Sequence, residues 1–344
     1  MSEEKKIEDY KIGVVGAGSW GTVLANLLAS KGYRVDLWAF EEEVKDQIQG
    51  DRENKVFLPG INLSPNLHPH NDLSKVVPGK DLVLMVVPSH VMRETVERMR
   101  DYVSDATILV SASKGIEIKT HLTMTGILKE LLPSLPDGNF GALSGPSFAK
   151  EVARQVPTGV TVAGSDTRVT GIIQKVFATP FFRVYTNSDT IGVELGGAVK
   201  NVIAIAAGII DGLGLGLNTR AALVTRGLTE IRRLGLKLGA NPRTFTGLAG
   251  TGDLLLTCTG DLSRNHTVGK QIGEGRTLDD ILSDMRMVAE GVRTAKSVYN
   301  LSRKLDVEMP IGHKVYHILY DGLSPKKAVY ELMTRELKQE LDEQ

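Results

Sequence analysis

One lysine lies in the most apolar stretch of the chain, where an amine can do acid–base chemistry. Between positions 191 and 210 the only charged side chains are Glu194 and Lys200. An ammonium group removed from water has a lowered pKa, which makes a lysine usable as a proton carrier near neutral pH. Lys200 is therefore a candidate catalytic residue. The sequence leaves open the alternative of a structural ion pair between Lys200 and Glu194.

Two more charged residues stand where they could assist such a lysine. Lys114 follows the apolar run 107–110, and the ligands of an open parallel sheet bind beyond the carboxyl ends of its strands. Asp253 ends the glycine-rich segment 247–253 and could hold a lysine in position. The alternatives that stay open are an exposed loop lysine at position 114 and a turn or helix-capping role for Asp253.

A polar triplet follows about ten residues later and has the donors that a phosphate group needs. Ser263, Arg264 and Asn265 supply one cationic and two neutral side chains in succession. Guanidinium groups bind phosphate oxygens through charge-assisted hydrogen bonds. The glycines of 247–253 would let the backbone approach a ligand closely. The triplet predicts a phosphate site, and an ordinary surface arginine at position 264 is the alternative.

A glycine pattern after the first apolar run predicts a dinucleotide site. Gly16, Gly18 and Gly21 have the spacing Gly-x-Gly-x-x-Gly between a strand-like run and a helical segment. The first glycine permits a tight turn, the second lets a pyrophosphate approach the backbone, and the third lets the helix pack on the strand. The helix N-terminus then offers amide donors to the phosphates. We expect NAD or NADP as the cofactor.

The second apolar run leaves the choice between NAD and NADP open. It ends at Trp38 without the acidic residue that commonly binds the adenosine ribose. Glu41 could bind a ribose hydroxyl, and Arg34 could favour a 2′-phosphate if its side chain pointed inward. The interpretation that the sequence favours for both residues is that of ordinary surface charges.

The elements that would position these residues alternate along the first half of the chain. Apolar runs ending in Gly, Ala, Pro or Ser are separated by helical segments, which is typical of a βαβ fold. Their continuous apolar character predicts a parallel doubly wound sheet covered on both faces. The predicted strands are 12–15, 35–38, 82–86, 107–110, 140–143, 159–163 and 182–185.

Helix-period patterns replace the strands after about residue 187. The predicted helices are 191–210, 219–238, 277–284, 291–305 and 325–341, with the charged tail after Thr334 as a solvated helix end. We therefore predict an α/β Rossmann-type doubly wound domain at residues 1–188. An all-α domain at residues 189–344 would bind the substrate and carry the catalytic lysine.

Composition excludes several classes of protein. The 344 residues include 41 Lys plus Arg and 41 Asp plus Glu, so no net charge attracts nucleic acid or an anionic membrane. Cys258, the only cysteine, excludes an internal disulfide and fits a reducing cytoplasm as a buried thiol. Residues 1–11 lack the apolar run of a secretory signal, and the charges inside 191–211 argue against a membrane span. We expect a cytoplasmic protein without nucleic-acid partners or membrane insertion.

The histidines do not predict a metal site. His313 and His317 have a spacing of four residues that would suit a metal on a helix, but no third ligand accompanies them. His68 and His70 flank a proline in a Pro- and Asn-rich stretch, which predicts a surface loop.

Longer segments extend these patterns over nearly the whole chain. They are GAGSWGT (16–22), NKVFLPG (54–60), SKGIE (113–117), SGPSFAKEV (144–152), ELGGAVKNVIAIAAGIIDGLGLGLNTRAALVTRGL (194–228), GLAGTGDLLLTC (247–258), SRN (263–265) and AEGV (289–292). In this order they resemble the bacterial NAD(P)-dependent glycerol-3-phosphate dehydrogenases, from Gly13 to about Ala328. The resemblance implies reversible hydride transfer between NAD(P)H and dihydroxyacetone phosphate, giving sn-glycerol 3-phosphate for glycerophospholipid synthesis.

The resemblance also implies roles for individual residues. Lys200 would take the hydroxyl proton in oxidation and return it in reduction, assisted by Asp253. The implied substrate contacts are Lys114, Gly145, Ser147, Lys200, Asp253, Ser263, Arg264 and Asn265. The implied cofactor contacts are Gly16, Gly18, Ser19, Trp20, Gly21, Phe40, Lys114, Ala149, Arg264, Val288 and Glu290. The family often has a basic residue near the position of Phe40, and this departure argues against a strong preference for NADP.

Two competing functions and the oligomeric state complete the predictions. A β-hydroxyacid dehydrogenase also pairs a Rossmann domain with a helical one, but Ser263, Arg264 and Asn265 favour a phosphate over a bare carboxylate. A non-catalytic NAD(P)H sensor would not need the proton carrier Lys200. A homodimer is a working hypothesis to which no residue pattern points.

Overall fold

An eight-stranded sheet forms the first half of the protein in a computed structural model that describes residues 6–285 and 287–340. The strands are β1 (Ile12–Val15), β2 (Val35–Trp38), β3 (Leu67–His70), β4 (Leu82–Met85), β5 (Ile108–Ser111), β6 (Phe140–Ser144), β7 (Thr158–Ala163) and β8 (Phe182–Asn187). Their order in the sheet is β3-β2-β1-β4-β5-β6-β7-β8. The doubly wound sheet predicted from the sequence is confirmed.

The last two strands correct one detail of that prediction. The first six strands are parallel to one another, but β7 runs antiparallel to β6, and β8 follows β7 in parallel. The helix between β6 and β7 has only five residues, Ala149–Ala153. At 1.5 Å rise per residue it is too short to carry the chain back along a strand with more than twice that rise.

The edge strand β3 is a second correction. Residues 68–70, predicted as a surface loop, pair in parallel with β2 instead. Proline is tolerated in an edge strand because one side of that strand has no neighbour to bond. The imidazole of His70 contacts the buried Asp36 carboxylate at 3.0 Å, which ties β3 to β2.

Fifteen α-helices occur in the described part of the chain. They are α1 (Ser19–Ser30), α2 (Glu42–Asp51), α3 (Leu73–Val76), α4 (Met92–Met99), α5 (Met124–Leu131), α6 (Ala149–Ala153), α7 (Thr167–Phe177), α8 (Thr190–Gly212), α9 (Gly216–Lys237), α10 (Asp253–Thr259), α11 (Arg264–Gly273), α12 (Leu278–Ser283), α13 (Glu290–Lys304), α14 (Pro310–Tyr320) and α15 (Pro325–Met333). Four of the five predicted helices of the second half correspond to α8, α9, α12 and α13 within a few residues.

The predicted helix at 325–341 is wrong beyond Met333. Residues 334–340 are not helical, and Leu341 lies outside the described residues. The side chain of Leu337 is 96% exposed, so the tail has no apolar face against which a helix could pack. Short isolated helices are marginal in water without such packing.

The helix α8 is the centre of the second half. It is long and apolar enough to cross a membrane by length and composition, but its apolar window is completely buried in protein. The helix α11 crosses it at backbone contact, because a Cβ atom on Gly208 would lie 2.0 Å from the His266 carbonyl oxygen. This close crossing fixes residues on α11 relative to those on α8.

Candidate functional site

The glycine turn after β1 has the geometry of a pyrophosphate site. Gly16 has φ +117°, a backbone conformation that favours glycine, and a Cβ on Gly21 would meet the Gly16 carbonyl oxygen at 1.9 Å. A Cβ on Gly18 would meet no protein atom within 4 Å, so this residue faces open space. Gly18 precedes α1 without a side-chain cap. The first amides of α1 and the space above them fit a dinucleotide.

A carboxylate, two amines and a hydroxyl meet where α8 reaches the sheet. The Lys200 Nζ donates to Asp253 Oδ1 and, at 2.8 Å, to the Thr257 hydroxyl oxygen. The Lys114 Nζ donates to Asp253 Oδ2 at 2.7 Å. The Asp253 side chain is only 1% exposed, so this carboxylate has no access to bulk water. One buried carboxylate thus brings both lysines together.

Burial governs the protonation of Lys200. Loss of water contact lowers the pKa of Lys200 to about 7, with a further lowering from Lys114, while the Asp253 carboxylate acts in the opposite direction. This is the direction expected from the sequence for a lysine in an apolar helix. The alternative of a Lys200–Glu194 pair is wrong, because the Glu194 carboxylate accepts hydrogen bonds from the backbone and side chain of Thr125.

Lys114 is a cleft residue and not an exposed loop lysine. It follows β5 at the carboxyl edge of the sheet, and its side chain is 18% exposed. Its Nζ also donates to the Gly145 carbonyl oxygen at 3.3 Å, and the Ser147 hydroxyl donates to that same oxygen at 3.0 Å. Gly145 has φ +134°, which turns the chain sharply after β6. The predicted contacts Lys114, Gly145 and Ser147 therefore lie next to Asp253.

The predicted phosphate triplet forms the start of α11. The Ser263 hydroxyl caps this helix by accepting from the His266 amide at 3.2 Å, and the Asn265 Oδ1 accepts from the Gly291 amide at 2.9 Å. Arg264 is open to solvent at the first position of the helix, yet surrounding protein lowers its pKa and the Glu290 carboxylate opposes that lowering. A cationic side chain beside the first amides of a helix is chemically suited to an anion.

A charged network behind the triplet escaped sequence reasoning. The Asp211 carboxylate contacts His266 Nε2 at 2.7 Å and accepts two hydrogen bonds from the Arg220 guanidinium, at 3.0 and 2.6 Å. It links the end of α8 to α9 and α11. Thr257 was missed as well, because a threonine in an apolar helix gives no signal until the packing partner of that helix is known.

The residues predicted to contact the cofactor come from both halves of the protein. Ser19 begins α1, and its hydroxyl donates to the Phe57 carbonyl oxygen at 2.6 Å and contacts the Met287 sulfur at 3.5 Å. The Glu290 carboxylate, at the start of α13, accepts from the Ser89 backbone and hydroxyl just after β4. Contacts therefore join the two halves directly above the glycine turn. The other predicted positions are Trp20 and Ala149, partly buried, and Phe40 and Val288, exposed.

The orientation of Arg34 corrects the suggestion that it could select NADP. Arg34 precedes β2, and its guanidinium lies 4.0 Å from the Asp36 carboxylate. It lines a surface cleft together with Tyr10 and Lys11, at the start of the strands and away from the glycine turn. Arg34 therefore cannot contact a dinucleotide bound at that turn.

The histidines and the cysteine have partners or surroundings of their own. The His313 Nε2 contacts the Ser302 hydroxyl at 2.8 Å, and the His317 Nδ1 contacts the Asp321 carboxylate at 2.6 Å. No group of three potential metal-ligating side chains occurs within residues 6–285 and 287–340. Cys258 is fully buried, and burial raises the pKa of its thiol to about 12, so it is an inert core residue as expected.

Family matches cover both halves of this cleft. Residues 11–170 match the family described as NAD-dependent glycerol-3-phosphate dehydrogenase N-terminus, and residues 189–330 match the corresponding C-terminus. The chain belongs to the NAD-dependent glycerol-3-phosphate dehydrogenase family. As a member, it is an oxidoreductase that uses NAD or NADP to interconvert dihydroxyacetone phosphate and sn-glycerol 3-phosphate for phospholipid synthesis.

Individual relatives within the family are similar over nearly their full length. The NAD(P)+ glycerol-3-phosphate dehydrogenase of Syntrophobacter fumaroxidans is 56% identical over 331 residues, covering 96% of this chain and 97% of that protein. That of Citrifermentans bemidjiense is 58% identical over 330 residues, covering 96% and 98%. The crystal structure of glycerol-3-phosphate dehydrogenase from Coxiella burnetii is 40% identical with a TM-score of 0.92, covering 95% of this chain and 100% of that chain. The family resemblance inferred from the sequence motifs is confirmed.

Proposed function

We propose that the Lys200 amine carries the proton in the reversible reduction of dihydroxyacetone phosphate. The observation that carries the proposal is the hydrogen bond from the buried Lys200 amine to Asp253. Burial also lowers the pKa of Lys200 to about 7. Near that pKa both the ammonium and the amine are populated, so one residue can serve both directions. The bound nicotinamide supplies or accepts the hydride.

In the direction of reduction, the Lys200 ammonium donates a proton to the carbonyl oxygen of the substrate as the alcohol forms. In the direction of oxidation, the neutral amine removes the hydroxyl proton. Asp253 orients Lys200 and Lys114 through its two carboxylate oxygens. Lys114, held by the second oxygen of Asp253, would donate a hydrogen bond to the reacting oxygen and so favour its negative character in the transition state.

The far end of the substrate carries the phosphate, and we assign it to the N-terminus of α11. Arg264 supplies a cationic fork, and Ser263 and Asn265 flank it. Gly145 and Ser147 complete the substrate contacts on the side of the sheet. Gly291 is the shared neighbour that supports this assignment. A Cβ atom built on it would lie 2.6 Å from the carbonyl oxygen of Asn201, the residue after Lys200, and 2.8 Å from Asn265 Oδ1. The α11 N-terminus and the catalytic amine therefore share one small region.

The cofactor contacts proposed from the sequence divide between the halves. The turn contributes Gly16, Gly18 and Gly21 together with Ser19 and Trp20. The remaining proposed contacts are Phe40, Lys114, Ala149, Arg264, Val288 and Glu290. We also propose the division into residues 1–188 and 189–344, which is supported by the end of β8 at Asn187 and the start of α8 at Thr190.

We propose a cytoplasmic location and a homodimer for the enzyme. The reducing compartment suits the inert thiol of Cys258, and the burial of α8 suits a soluble protein. Exposed apolar side chains at Tyr330, Met333 and Leu337 support self-association. Light scattering on the purified protein would give the oligomeric state directly.

The reaction is tested by the absorbance change of NADH and NADPH with candidate substrates. We expect turnover with dihydroxyacetone phosphate and little with dihydroxyacetone or with 3-hydroxy acids in the reverse direction, because the α11 N-terminus is suited to a phosphate. Turnover of a 3-hydroxy acid without turnover of dihydroxyacetone phosphate would favour the β-hydroxyacid alternative. Cofactor binding without any turnover would favour a sensor.

A further inference from the structure

The segment that follows β2 lies beside the dinucleotide turn. The Gly16 amide donates to the Trp38 carbonyl oxygen at 3.1 Å, and Val15 is the ladder partner of Trp38. Phe40, two residues further on, is thus on the same edge of the sheet as Gly16. In dinucleotide-binding folds the residues at this tip contact the adenosine ribose and distinguish a 2′-hydroxyl from a 2′-phosphate.

Phe40 presents an aromatic surface at this tip. Its side chain is 70% exposed, and its ring meets the Trp38 ring edge-on with the centroids 6.0 Å apart. Trp38 is itself buried and donates through its ring nitrogen to the Asn71 carbonyl oxygen. A solvent-facing aromatic ring on a fixed support is suited to stacking on a nucleobase. This contact would serve NAD and NADP alike.

Three carboxylates follow Phe40 directly in the chain. Glu41, Glu42 and Glu43 follow it and are all exposed. The Glu42 carboxylate lies 3.9 Å from the Lys45 ammonium, and Glu43 accepts from the Gln47 side-chain amide at 3.0 Å. The Glu41 side chain does not cap α2, which begins immediately after it. Its carboxylate is free to accept hydrogen bonds from a ribose diol and would repel a 2′-phosphate.

Basic residues also lie near β2, each with a partner of its own. Arg34 lies at the start of the strand beside Asp36. The Arg98 guanidinium lies over the Trp38 ring, with its Cζ 5.6 Å from the ring centroid, and is engaged in a cation–π contact there. The Lys45 ammonium is shared between Glu42 and Asp46, at 3.9 and 2.7 Å. Carboxylates therefore outnumber the cations Lys45 and Arg98 near the tip, which makes the local charge negative.

We propose that the segment Phe40 to Glu43 makes this enzyme selective for NAD(H) over NADP(H). Phe40 supports the adenine, Glu41 binds the ribose hydroxyls, and the three carboxylates exclude the dianionic 2′-phosphate. The inference rests on the dinucleotide site proposed above and adds a choice between its two ligands.

Calorimetric dissociation constants for NADH and NADPH, measured without substrate, test the proposal. We expect wild-type protein to bind NADH more tightly by on the order of tenfold or more. Replacing the three residues together (Glu41→Gln, Glu42→Gln, Glu43→Gln) should weaken NADH binding and strengthen NADPH binding. The ratio of the two dissociation constants then comes closer to one. Phe40→Leu should weaken the binding of both cofactors by a similar factor, so the ratio of their dissociation constants stays unchanged. Glu97→Gln, an exposed carboxylate on α4, is the matched control.

Two results would overturn the proposal. The first is that the wild type binds NADPH as tightly as NADH or more tightly. If Arg98→Gln then lost this NADPH binding, the contact with the ribose phosphate would belong to Arg98. The second is a ratio of the NADH and NADPH dissociation constants that stays the same after the triple replacement. Because binding is measured without substrate, a failure of turnover with intact selective binding would contradict the proposed reaction and leave the selectivity standing.

Discussion

The two halves of the enzyme build their parts of the cleft from different materials. The dinucleotide turn of the sheet half uses backbone: Gly16 and Gly21 shape the turn, Gly18 leaves space above it, and the amides that begin α1 face that space. The helical half uses the buried ionisable side chains of Lys200 and Asp253, and the same half buries a further carboxylate, that of Glu230, away from the site. A turn made of backbone has no group of its own that titrates near neutral pH, whereas a site made of buried charge depends on the pH through its own pKa values.

The largest expected effect is a loss of catalysis in the helical half without a loss of cofactor binding in the sheet half. Lys200→Ala removes the proton carrier, and we expect kcat to fall by about 10²- to 10⁴-fold, the usual contribution of general acid–base catalysis. The dissociation constant for NADH should be nearly unchanged, because the turn after β1 is intact. Lys200→Arg should be as inactive, since a guanidinium does not release its proton near neutrality.

Steady-state kinetics and calorimetry on the same preparations check this prediction. Lys237→Ala, an exposed lysine at the end of α9, is the control and should retain wild-type kcat. An active Lys200→Ala enzyme would rule out the assignment of Lys200 as the proton carrier.

A second prediction concerns the phosphate end of the helical half. Arg264→Ala removes a charge-assisted contact, and we expect the KM for dihydroxyacetone phosphate to rise by about 10- to 100-fold with a smaller change in kcat. Because Arg264 is also a proposed cofactor contact, both substrates are compared at saturating NADH. Under that condition the slow reduction of dihydroxyacetone, which has no phosphate, should be unaffected. Equal losses with both substrates would show that Arg264 acts through the fold instead of through the phosphate.

A third prediction tests the backbone site of the sheet half. Gly18→Ala adds a methyl group that meets no protein atom, so the melting temperature should be unchanged while NADH binding weakens by on the order of tenfold. Gly21→Ala places its methyl group against the Gly16 carbonyl oxygen and should lower both the melting temperature and NADH binding. Gly50→Ala, on the exposed face of α2, is the control. Unchanged NADH binding in Gly18→Ala would mean that the pyrophosphate lies elsewhere.

The smallest expected effect is a pH dependence of stability in the helical half. Glu230 accepts hydrogen bonds from the Ile311 and Gly312 amides, and burial raises its pKa from 4.5 to about 7. Between these values the folded protein binds a proton that the unfolded chain has released. The contribution of Glu230 to the free energy of unfolding is therefore present at acidic pH and is lost as the pH rises through about 7.

Glu230→Gln checks this sign, because the amide resembles the protonated acid. Denaturant unfolding at about pH 5 and about pH 8 should show the variant gaining stability relative to wild type at the higher pH. Glu274→Gln, on the surface after α11, should show no such difference. A gain confined to the lower pH would contradict the assigned direction.

The same contrast explains what the sequence could predict. The turn of Gly16, Gly18 and Gly21 is a local motif, so spacing and the neighbouring strand suffice to identify it. Lys200 was recognisable as a charge in an apolar helix, but its partner was not, because Glu194 and Asp253 were both available. Packing decides between them by placing α10 against α8 and the start of α5 against Glu194.

The errors in the fold have equally specific causes. The strand β3 contains Pro69 between two histidines, and its pairing is specified by the neighbouring β2 and not by its own pattern. The charged residues after Thr334 have helical propensity but no surface to pack on. Asp211 and His266 gave no signal, since each is an ordinary polar residue until α8 and α11 cross.

The pH dependence of kcat in both directions tests the central claim most directly. Reduction needs the Lys200 ammonium and oxidation needs the amine, so kcat should fall with rising pH in reduction and rise in oxidation, both through about pH 7. Asp253→Asn removes the charge that raises the Lys200 pKa and should move both midpoints to lower pH. Profiles that change in the same direction, or that show no ionisation between about pH 6 and 9, would contradict a proton carried by Lys200.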